Sequence, residues 1–582
     1  MSHNSLFRST MITRRQFLLT SLKGGLLSFL LLRLGYLQIL KHQQYLLLSN
    51  KNSVATILVP PIRGEIFDCN ARKVVSNERR FKLVITRPLA KQSQISLLSL
   101  FKILNIDDIQ QEVIKKNTLG NPLVANVVEN LSWEEIVKIE SNIFDLQNVR
   151  IEHYFVRLYQ GNESISHPIG YVSAPVQSDL QSVDIKKLKN FHVGKTGIEK
   201  YYDKELGGAF GVKHVEVDAY GKIIRPLHLQ PSQSGRDLYL NLDCDLQYKV
   251  YDLIKNLSAS VIVNDLQQSR LICMVSAPGF DASLFSQTLL QQSWKKMNQD
   301  AKLPLLNKAV QAAYPPGSIF KLIVCLAALK EGFDPKAKIL CKSVGFLGDH
   351  FHCWNKGGHG FLNMQEAIGL SCNYYMYTIA KSIGYSKIVQ MASALGFGSL
   401  VDIDLPSQVK GYLPDIFSST FNRLQLANTL NLSIGQGHIT ATNLQLNKLV
   451  SIIATKGRVP EYSLLQKTIL QHDVVDVASK YFDIIHEGMY RSVNLFGTGQ
   501  AARSSVLIAG KTGTAQVRSK THAAEDLSSI HTPWNQKNHA LFVGFAPFDN
   551  PKYAISIVIE HGGAGGRDAA PIAKKVFEML LL

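Results

Sequence analysis

A run of mostly apolar residues from Phe17 to Leu40 (FLLTSLKGGLLSFLLLRLGYLQIL) limits where the rest of the chain can go. It is long enough to cross a bilayer as one helix, for which about 20 residues suffice. The segment before it, Met1 to Gln16, carries Arg8, Arg14 and Arg15 and no acidic residue. Basic flanks stay on the cytoplasmic side, so residues beyond Leu40 are expected outside. No small-residue cleavage site follows, so the run reads as a retained anchor. Thr13-Arg14-Arg15-Gln16-Phe17-Leu18 also reads as a twin-arginine export signal; either route ends in the same topology. Lys23 can snorkel to the inner surface. Arg33 falls deeper, where a charge faces a protein partner or, in a tilted helix, reaches the outer surface.

The 582 residues exceed what one core accommodates, so two or more domains are expected. Hydrophobic residues at 46% and charged residues at 19% give a globular composition. The formal charge of +18 raises nucleic acid as a partner. That reading needs basic residues gathered on one face, and here they are scattered, so no nucleic-acid partner is expected. A basic surface equally suits anionic lipid head groups and an anionic polymer.

Val59-Pro-Pro-Ile-Arg-Gly-Glu-Ile-Phe-Asp68 marks a domain entry through its prolines and Gly64. Residues 56–230 alternate short β-like runs, such as Leu83 to Thr86, with helical stretches, such as Ile106 to Lys116. No nucleophile–base pair stands out there. Leu238 to Leu242 and Ala259 to Val263 read as strands opening a second domain. Leu541 to Pro547 and Tyr553 to Glu560 form a hairpin pattern around Asp549-Asn550-Pro551, and Pro571 to Leu582 a terminal helix. Strands at both ends with helices between predict an α+β domain with one antiparallel sheet.

Three short segments carry the chemistry. In Tyr314-Pro-Pro-Gly-Ser318-Ile-Phe-Lys321 the apolar run Ile319 to Leu329 predicts a buried helix, with Ser318 in its first turn and Lys321 on the same face. An amine held there loses its proton more easily and can serve as base to the hydroxyl. Ser371-Cys372-Asn373 offers a hydroxyl and an amide two residues apart; alone, such a triplet is an ordinary helix cap. Gly510-Lys511-Thr512-Gly513-Thr514 lies in the strand-like run Val506 to Val517, where Lys511, Thr512 and Thr514 suit a carboxylate and Gly513 admits a ligand to the backbone. A second triplet, Lys195-Thr196-Gly197, sits upstream of the serine in a polar context and is not expected to act.

Ser-x-x-Lys, Ser-x-Asn and Lys-Thr-Gly in this order match the signature of penicillin-binding proteins and serine β-lactamases. The chain resembles the class B penicillin-binding proteins, most closely their elongation-type penicillin-binding protein 2 branch, over nearly its whole length. Arg63-Gly64-Glu-Ile-Phe-Asp68, His167-Pro-Ile-Gly-Tyr171 and Gly197-Ile-Glu199-Lys-Tyr-Tyr-Asp203 look like pedestal motifs of that family. Ser433-Ile-Gly-Gln-Gly437 and His539 to Pro547 look like catalytic-domain segments. It departs at Cys69 and Ala71, where Arg and Gly are usual, and at Ser407-Gln408, where an acidic residue is common.

The resemblance implies an α+β multidomain protein with a cytoplasmic tail (1–16), a transmembrane helix (17–40), an extended non-catalytic pedestal domain of dimerisation type (56–230) and a transpeptidase domain like the serine β-lactamases (240–582). It implies a penicillin-sensitive serine D,D-transpeptidase that cross-links peptidoglycan during lateral wall elongation, single-pass in the inner membrane with its catalytic domain in the periplasm. Ser318 would attack and Lys321 would take its proton. Ser371 and Asn373 would relay protons and hold the substrate amide, Lys511, Thr512 and Thr514 would hold the terminal carboxylate, and the N–H groups of Ser318 and Thr514 would bind the oxyanion. Stem peptides, β-lactams, a glycan polymerase of the SEDS class and elongation scaffold proteins are the implied partners. No cofactor is implied for the chemistry. Two other readings share the motifs: a D,D-carboxypeptidase or β-lactamase-type hydrolase, and a non-catalytic wall-binding scaffold. A hydrolase of the secreted β-lactamase kind ordinarily lacks both anchor and first domain.

Of seven cysteines, Cys69, Cys244, Cys273 and Cys325 stand singly and read as buried small hydrophobes. Cys341, Cys353, His359 and Cys372 fall together between the nucleophile and the end of Ser-x-Asn, in a glycine-rich stretch. Three thiolates and an imidazole make a full shell for structural zinc, with His350 and His352 in reserve. A Cys341–Cys353 disulfide and plain packing are the other two readings.

Overall fold

The computed structural model describes residues 14–43, 54–86, 90–119, 124–176, 179, 191–217, 223–286, 291–342, 345–346, 351–415, 423–467, 473–517 and 532–582. Arg8, the start of the basic flank and His350 lie outside these. Arg14–Gly35 is one helix, α1, continued by a wider turn over Tyr36–Leu40. Among the described residues Phe17–Leu40 is the one helical segment long and apolar enough to cross a membrane, and none of it is buried against the protein. The Arg33 guanidinium lies 5.4 Å from the Tyr36 ring, so this charge has an aromatic face as partner at the far end of the span.

The next part is built from strands β1 (Val54–Val59), β2 (Ile66–Phe67), β3 (Lys73–Thr86), β4 (Val124–Val128), β5 (Val149–Tyr159), β6 (Gly211–Val217), β7 (Ile223–Gln230) and β8 (Leu238–Tyr239). An antiparallel sheet runs β1-β6-β7, and a mixed sheet runs β8-β2-β3-β4, with β5 also on β3. The strand expected at Leu83 to Thr86 is the end of β3, and the helix expected at 106–116 is Asp108–Leu119. The strand expected at Leu238 to Leu242 is shorter than expected. Of the run Leu238 to Leu242, Leu238–Tyr239 is strand and pairs in parallel with Ile66–Phe67, completing the β2-β3-β4 sheet, while Leu240 bridges Leu465 in the second part. The two parts are tied where the Asn241 N–H donates to the Leu464 carbonyl at 2.7 Å and the Gln466 N–H to the Tyr239 carbonyl at 2.8 Å.

Glu199 holds this first part at its centre. Fully buried, its carboxylate accepts from Arg63 Nε at 2.7 Å and Arg157 Nε at 2.8 Å. Burial alone would raise its pKa, but the two guanidiniums outweigh that and hold the carboxyl below its ordinary value. Arg157 also donates to the Gly64 carbonyl, and Arg63 to Asp203. The motifs at residues 63–68 and 197–203 are therefore one buried ion network.

The second part is built on a five-stranded antiparallel sheet. In chain order its strands are β9 (Ala259–Asp265), β10 (Arg270–Ala277), β11 (Ala509–Ala515), β12 (His539–Ala546) and β13 (Tyr553–Ile559); in space they run β10-β9-β13-β12-β11. β12 and β13 are the expected hairpin. Period-two alternation sends Ile555 and Ile557 to one face, packed with Val250 and Ile254 from helix Cys244–Ile254 and Val576 and Phe577 from the terminal helix Ala570–Leu581. Ala554 and Val558 go to the other face, against Lys321–Lys330 and Asn443–Ala454. β11 is an edge strand, which leaves one side of its backbone open. Cys273 and Cys325 are buried as expected, whereas Cys69 and Cys244 are half-buried, because both sit at the polar junction formed by Asp68, Arg72, Asp243 and Asp245.

Glu199→Ala leaves the buried Arg157 guanidinium without its carboxylate and Arg63 with Asp203 alone, and should destabilise the protein by about 3–5 kcal/mol. Thermal unfolding should show a lowered first transition; an unchanged profile would mean the network is not what holds this part.

Candidate active site

Gly317–Ile319 is a 3₁₀ turn leading directly into helix α2 (Lys321–Lys330), whose residues from Lys321 to Leu329 are all buried. Both geometries place residues three apart on one face, so Ser318 and Lys321 point the same way. Ser318 is half-buried at the mouth and Lys321 fully buried beneath it.

Ser371 and Asn373 are fixed by the corner between α3 (Met364–Gly369) and α4 (Asn373–Ile383). The Cys372 N–H donates to the Ala367 carbonyl and the Ser371 N–H to the Ile368 carbonyl, the paired bonds of a Schellman ending. That ending needs a left-handed residue, usually glycine, and here Ser371 takes it at φ 55°. A non-glycine residue there is strained by about 1–2 kcal/mol. The strain puts a hydroxyl where glycine would have none. Cys372 at once caps α4, its sulfur accepting from the Tyr375 N–H, so no slack residue separates the two helices.

Lys321 Nζ donates to the Ser371 carbonyl at 2.7 Å and to Asn373 Oδ1 at 2.6 Å. Ser371 Oγ lies 3.2 Å from that nitrogen and 2.8 Å from Lys511 Nζ. Three segments distant in sequence thus meet at one hydroxyl, whereas the Lys195-Thr196-Gly197 triplet stays in the first part, around Val193–Gly194 and Gly197–Tyr201. Burial lowers Lys321 to about 8. Lys511 is held well below its ordinary value, first by burial and then by repulsion from Lys321. A neutral Lys321 spends its two N–H groups on the two carbonyl oxygens and keeps a lone pair for a hydroxyl proton.

β11 supplies the third wall, and is shorter than the run Val506 to Val517 read from sequence. Lys511 and Gly513 face Val543 and Leu541 of β12, while Thr512 and Thr514 alternate with them. In an antiparallel pair a residue's N–H and C=O point the same way. The Thr514 carbonyl accepts from Gln436 Nε2 at 3.1 Å, and the Thr512 carbonyl from Lys511 Nζ at 3.1 Å, both off the sheet. The N–H groups of Thr512 and Thr514 therefore also face the cleft. Thr512 Oγ1 pairs with Thr498 Oγ1 at 2.6 Å.

Cys341, Cys353, His359 and Cys372 come together, their ligand atoms all within 4.8 Å of one another. Cys353 and Cys372 sulfurs are 3.9 Å apart, and His359 Nδ1 is 3.4 Å from Cys353 and 3.6 Å from Cys341. The hydrogen bond from Cys372 pulls the Cys353 thiol down, and the same bond pushes Cys372 up. A tetrahedral zinc would need edges of about 3.8 Å between sulfurs and about 3.6 Å from sulfur to nitrogen, so the donor set fits. His352, the reserve ligand, is not part of the cluster; its carbonyl instead accepts from Asn373 Nδ2 at 3.2 Å. The indole of Trp354 donates to the Leu370 and Ser371 carbonyls. Trp354, Thr498 and Gln436 were not singled out as individual site residues in the sequence. Only Gln436 had a signal, the two glycines that flank it.

The chain matches the family model for the penicillin-binding protein transpeptidase domain over residues 259–578, and that for the penicillin-binding protein dimerisation domain over 58–240. It is 31% identical to the peptidoglycan D,D-transpeptidase MrdA of Salmonella typhimurium, over 95% of this chain and 93% of that protein. Its likeness to MrdA of Escherichia coli is 30%, over 92% and 89%. Among solved structures it is similar to penicillin-binding protein PBP2 of Helicobacter pylori in complex with MreC, with a TM-score of 0.79, 28% identity and coverage of 91% of this chain and 99% of that one. A peptidoglycan synthase complex that coordinates polymerization and crosslinking gives a TM-score of 0.69 at 26% identity, over 97% of this chain and 98% of that one.

Two measurements check this geometry. Because Lys321 is protonated below about pH 8, acylation of Ser318 should rise roughly tenfold per unit from pH 6 to 7 and level off above 8; a flat profile would remove Lys321 as base. Ser371→Gly relaxes the left-handed backbone, so its melting temperature should equal or exceed wild type while acylation falls.

Proposed function

The chain belongs to the penicillin-binding protein transpeptidase family, and from that premise we propose how its own residues carry the reaction. It is a peptidoglycan D,D-transpeptidase. Ser318 Oγ attacks the carbonyl between the two terminal D-alanines of a donor stem peptide while Lys321 Nζ takes its proton. The N–H groups of Ser318 and Thr514 hold the oxyanion. As the C–N bond breaks, the departing D-alanine amine receives a proton through Ser371, and an ester to Ser318 remains. The amine of a neighbouring stem peptide then attacks this ester, its proton passes to the Ser371–Lys321 pair, and Ser318 regains a hydroxyl proton as the cross-link forms. Asn373 holds the donor amide. Lys511, Thr512 and Thr514 receive the terminal carboxylate, whose charge favours reprotonation of Lys511, and Gly513 keeps the strand open to it. The single observation carrying this assignment is the convergence of Lys321 and Lys511 on the Ser371 hydroxyl, with Lys321 also holding Asn373.

The single apolar helix near the N-terminus fits a membrane anchor. We take it to lie in the inner membrane, with the catalytic domain in the periplasm. The working division is 1–16 tail, 17–40 anchor, 56–230 pedestal and 240–582 catalytic domain. A glycan polymerase of the SEDS class and an elongation scaffold such as MreC are the expected partners of the pedestal, as the complexes of the similar proteins support.

Cys341, Cys353, His359 and Cys372 would hold a structural zinc whose closed shell leaves no ligand position for water. Its effect would be on Ser371 and Asn373. Cys372 lies between them, while His352 and Trp354, on either side of Cys353, bond to Asn373 and Ser371.

A fluorescent penicillin should label wild type and not Ser318→Ala, with both proteins folded; a labelled alanine variant would move the nucleophile elsewhere. Turnover of a D-Ala-D-Ala donor with an amine acceptor separates a transpeptidase from a hydrolase, which releases acid only, and from a scaffold, which releases nothing. Elemental analysis without chelator should give about one zinc per chain, and Cys372→Ser should lower melting temperature and acylation together. Metal-free protein with Cys341 linked to Cys353 would establish the disulfide instead.

A further inference from the structure

Ser433-Ile-Gly-Gln-Gly437 has no part in the steps above, yet two consecutive residues of it touch both walls of the oxyanion site. The Gly435 carbonyl accepts from the Gly317 N–H at 3.0 Å, one residue before the nucleophile. Gln436 Nε2 donates at 3.1 Å to the carbonyl of Thr514. Gly435 sits at φ +66°, and a Cβ there would meet the Gly317 carbonyl oxygen at 2.1 Å, so no other residue brings this segment so close. A Cβ on Gly317 would in turn meet Thr514 oxygen at 2.7 Å and nitrogen at 3.2 Å. The nucleophile turn and the edge strand are thus at backbone contact, with a short segment bracing both.

We propose that Gln436 is a positioning residue for the oxyanion hole. Its amide grips the outward carbonyl of Thr514; the Thr514 N–H belongs to the preceding peptide plane but shares that edge, so the grip restrains the rotation about the Thr514 Cα that would swing the N–H out of line. β12 holds these two peptide planes only from the Gly513 and Ala515 side; on the open edge the hold on the Thr514 carbonyl is Gln436, and without it the planes gain freedom to tilt. The transition-state oxygen carries more charge than the ground-state carbonyl, so misaiming the donor harms the chemical step more than binding. This inference rests on Ser318 as nucleophile and deepens that reading.

Gln436→Met keeps the length and removes the donor; Gln436→Glu puts a carboxylate against the Thr514 carbonyl. Stopped-flow labelling with a fluorescent penicillin separates the non-covalent affinity from the acylation rate. Acylation should fall at least ~10-fold in Gln436→Met and further in Gln436→Glu, by analogy with loss of an oxyanion donor, with non-covalent affinity unchanged. An acylaminomethyl boronic acid, which forms a tetrahedral adduct on the serine, should lose affinity by the same factor. The pH midpoint of acylation should stay where Lys321 sets it. Wild-type acylation in both variants overturns the proposal, as does a loss that follows a drop in melting temperature with boronate affinity intact. Ser318→Ala in the same assay keeps the premise separate: if it still labels, the nucleophile is wrong, whatever Gln436 does.

Discussion

Two lysine amines share one serine hydroxyl in a space closed to water, and the rest of the catalytic half can be read as the means of keeping them there. Lys321 and Lys511 are both fully buried. Two ammonium ions this close in low dielectric would repel strongly, and burial alone already disfavours either charge. Both amines are therefore held below the ordinary lysine range, and an anion arriving in the cleft favours their charged forms. Removing Ser371 Oγ would leave the two nitrogens without their common partner.

Such an arrangement needs rigid supports on three sides. The apolar helix behind Lys321 fixes one amine. The antiparallel ladder between β11 and β12 fixes the other. The third side is a helix corner with no slack, in which a left-handed serine takes the place usually given to glycine. This strain is local and is stabilised by two backbone hydrogen bonds and the cap at Cys372. The thiol cluster lies directly behind that corner, so anything that orders Cys353 and Cys372 also orders the hydroxyl and the amide on either side.

Much of this was legible in the sequence. The apolar N-terminal helix, the antiparallel sheet, the β12–β13 hairpin and the buried helix after Ser318 follow from apolar period and turn residues. Ser318, Lys321, Ser371, Asn373 and Lys511 were named because their order and spacing form a set. What spacing could not give was distance across the fold. Leu238–Tyr239 has the composition of a strand, but composition does not say which sheet it joins; the open edge beside Ile66–Phe67 decided that. Gln436 and Thr498 act through one hydrogen bond each to a residue 78 and 14 positions away, and a single polar side chain has no periodicity to betray it. Trp354 reads as any exposed aromatic until the carbonyls it meets are known.

An unpaired sheet edge ordinarily invites another strand. Along β11 the carbonyls of Thr512 and Thr514 are already occupied by the chain's own Lys511 and Gln436. What remains turned outward is a row of N–H groups without matching acceptors. A foreign strand needs both kinds of group in alternation and would find half of its own donors unanswered. A carboxylate or an alkoxide needs donors only. The same two side chains that shape the pocket make the edge poor at self-association and selective for negative charge, so resistance to aggregation and affinity for an anionic ligand come from one chemical asymmetry.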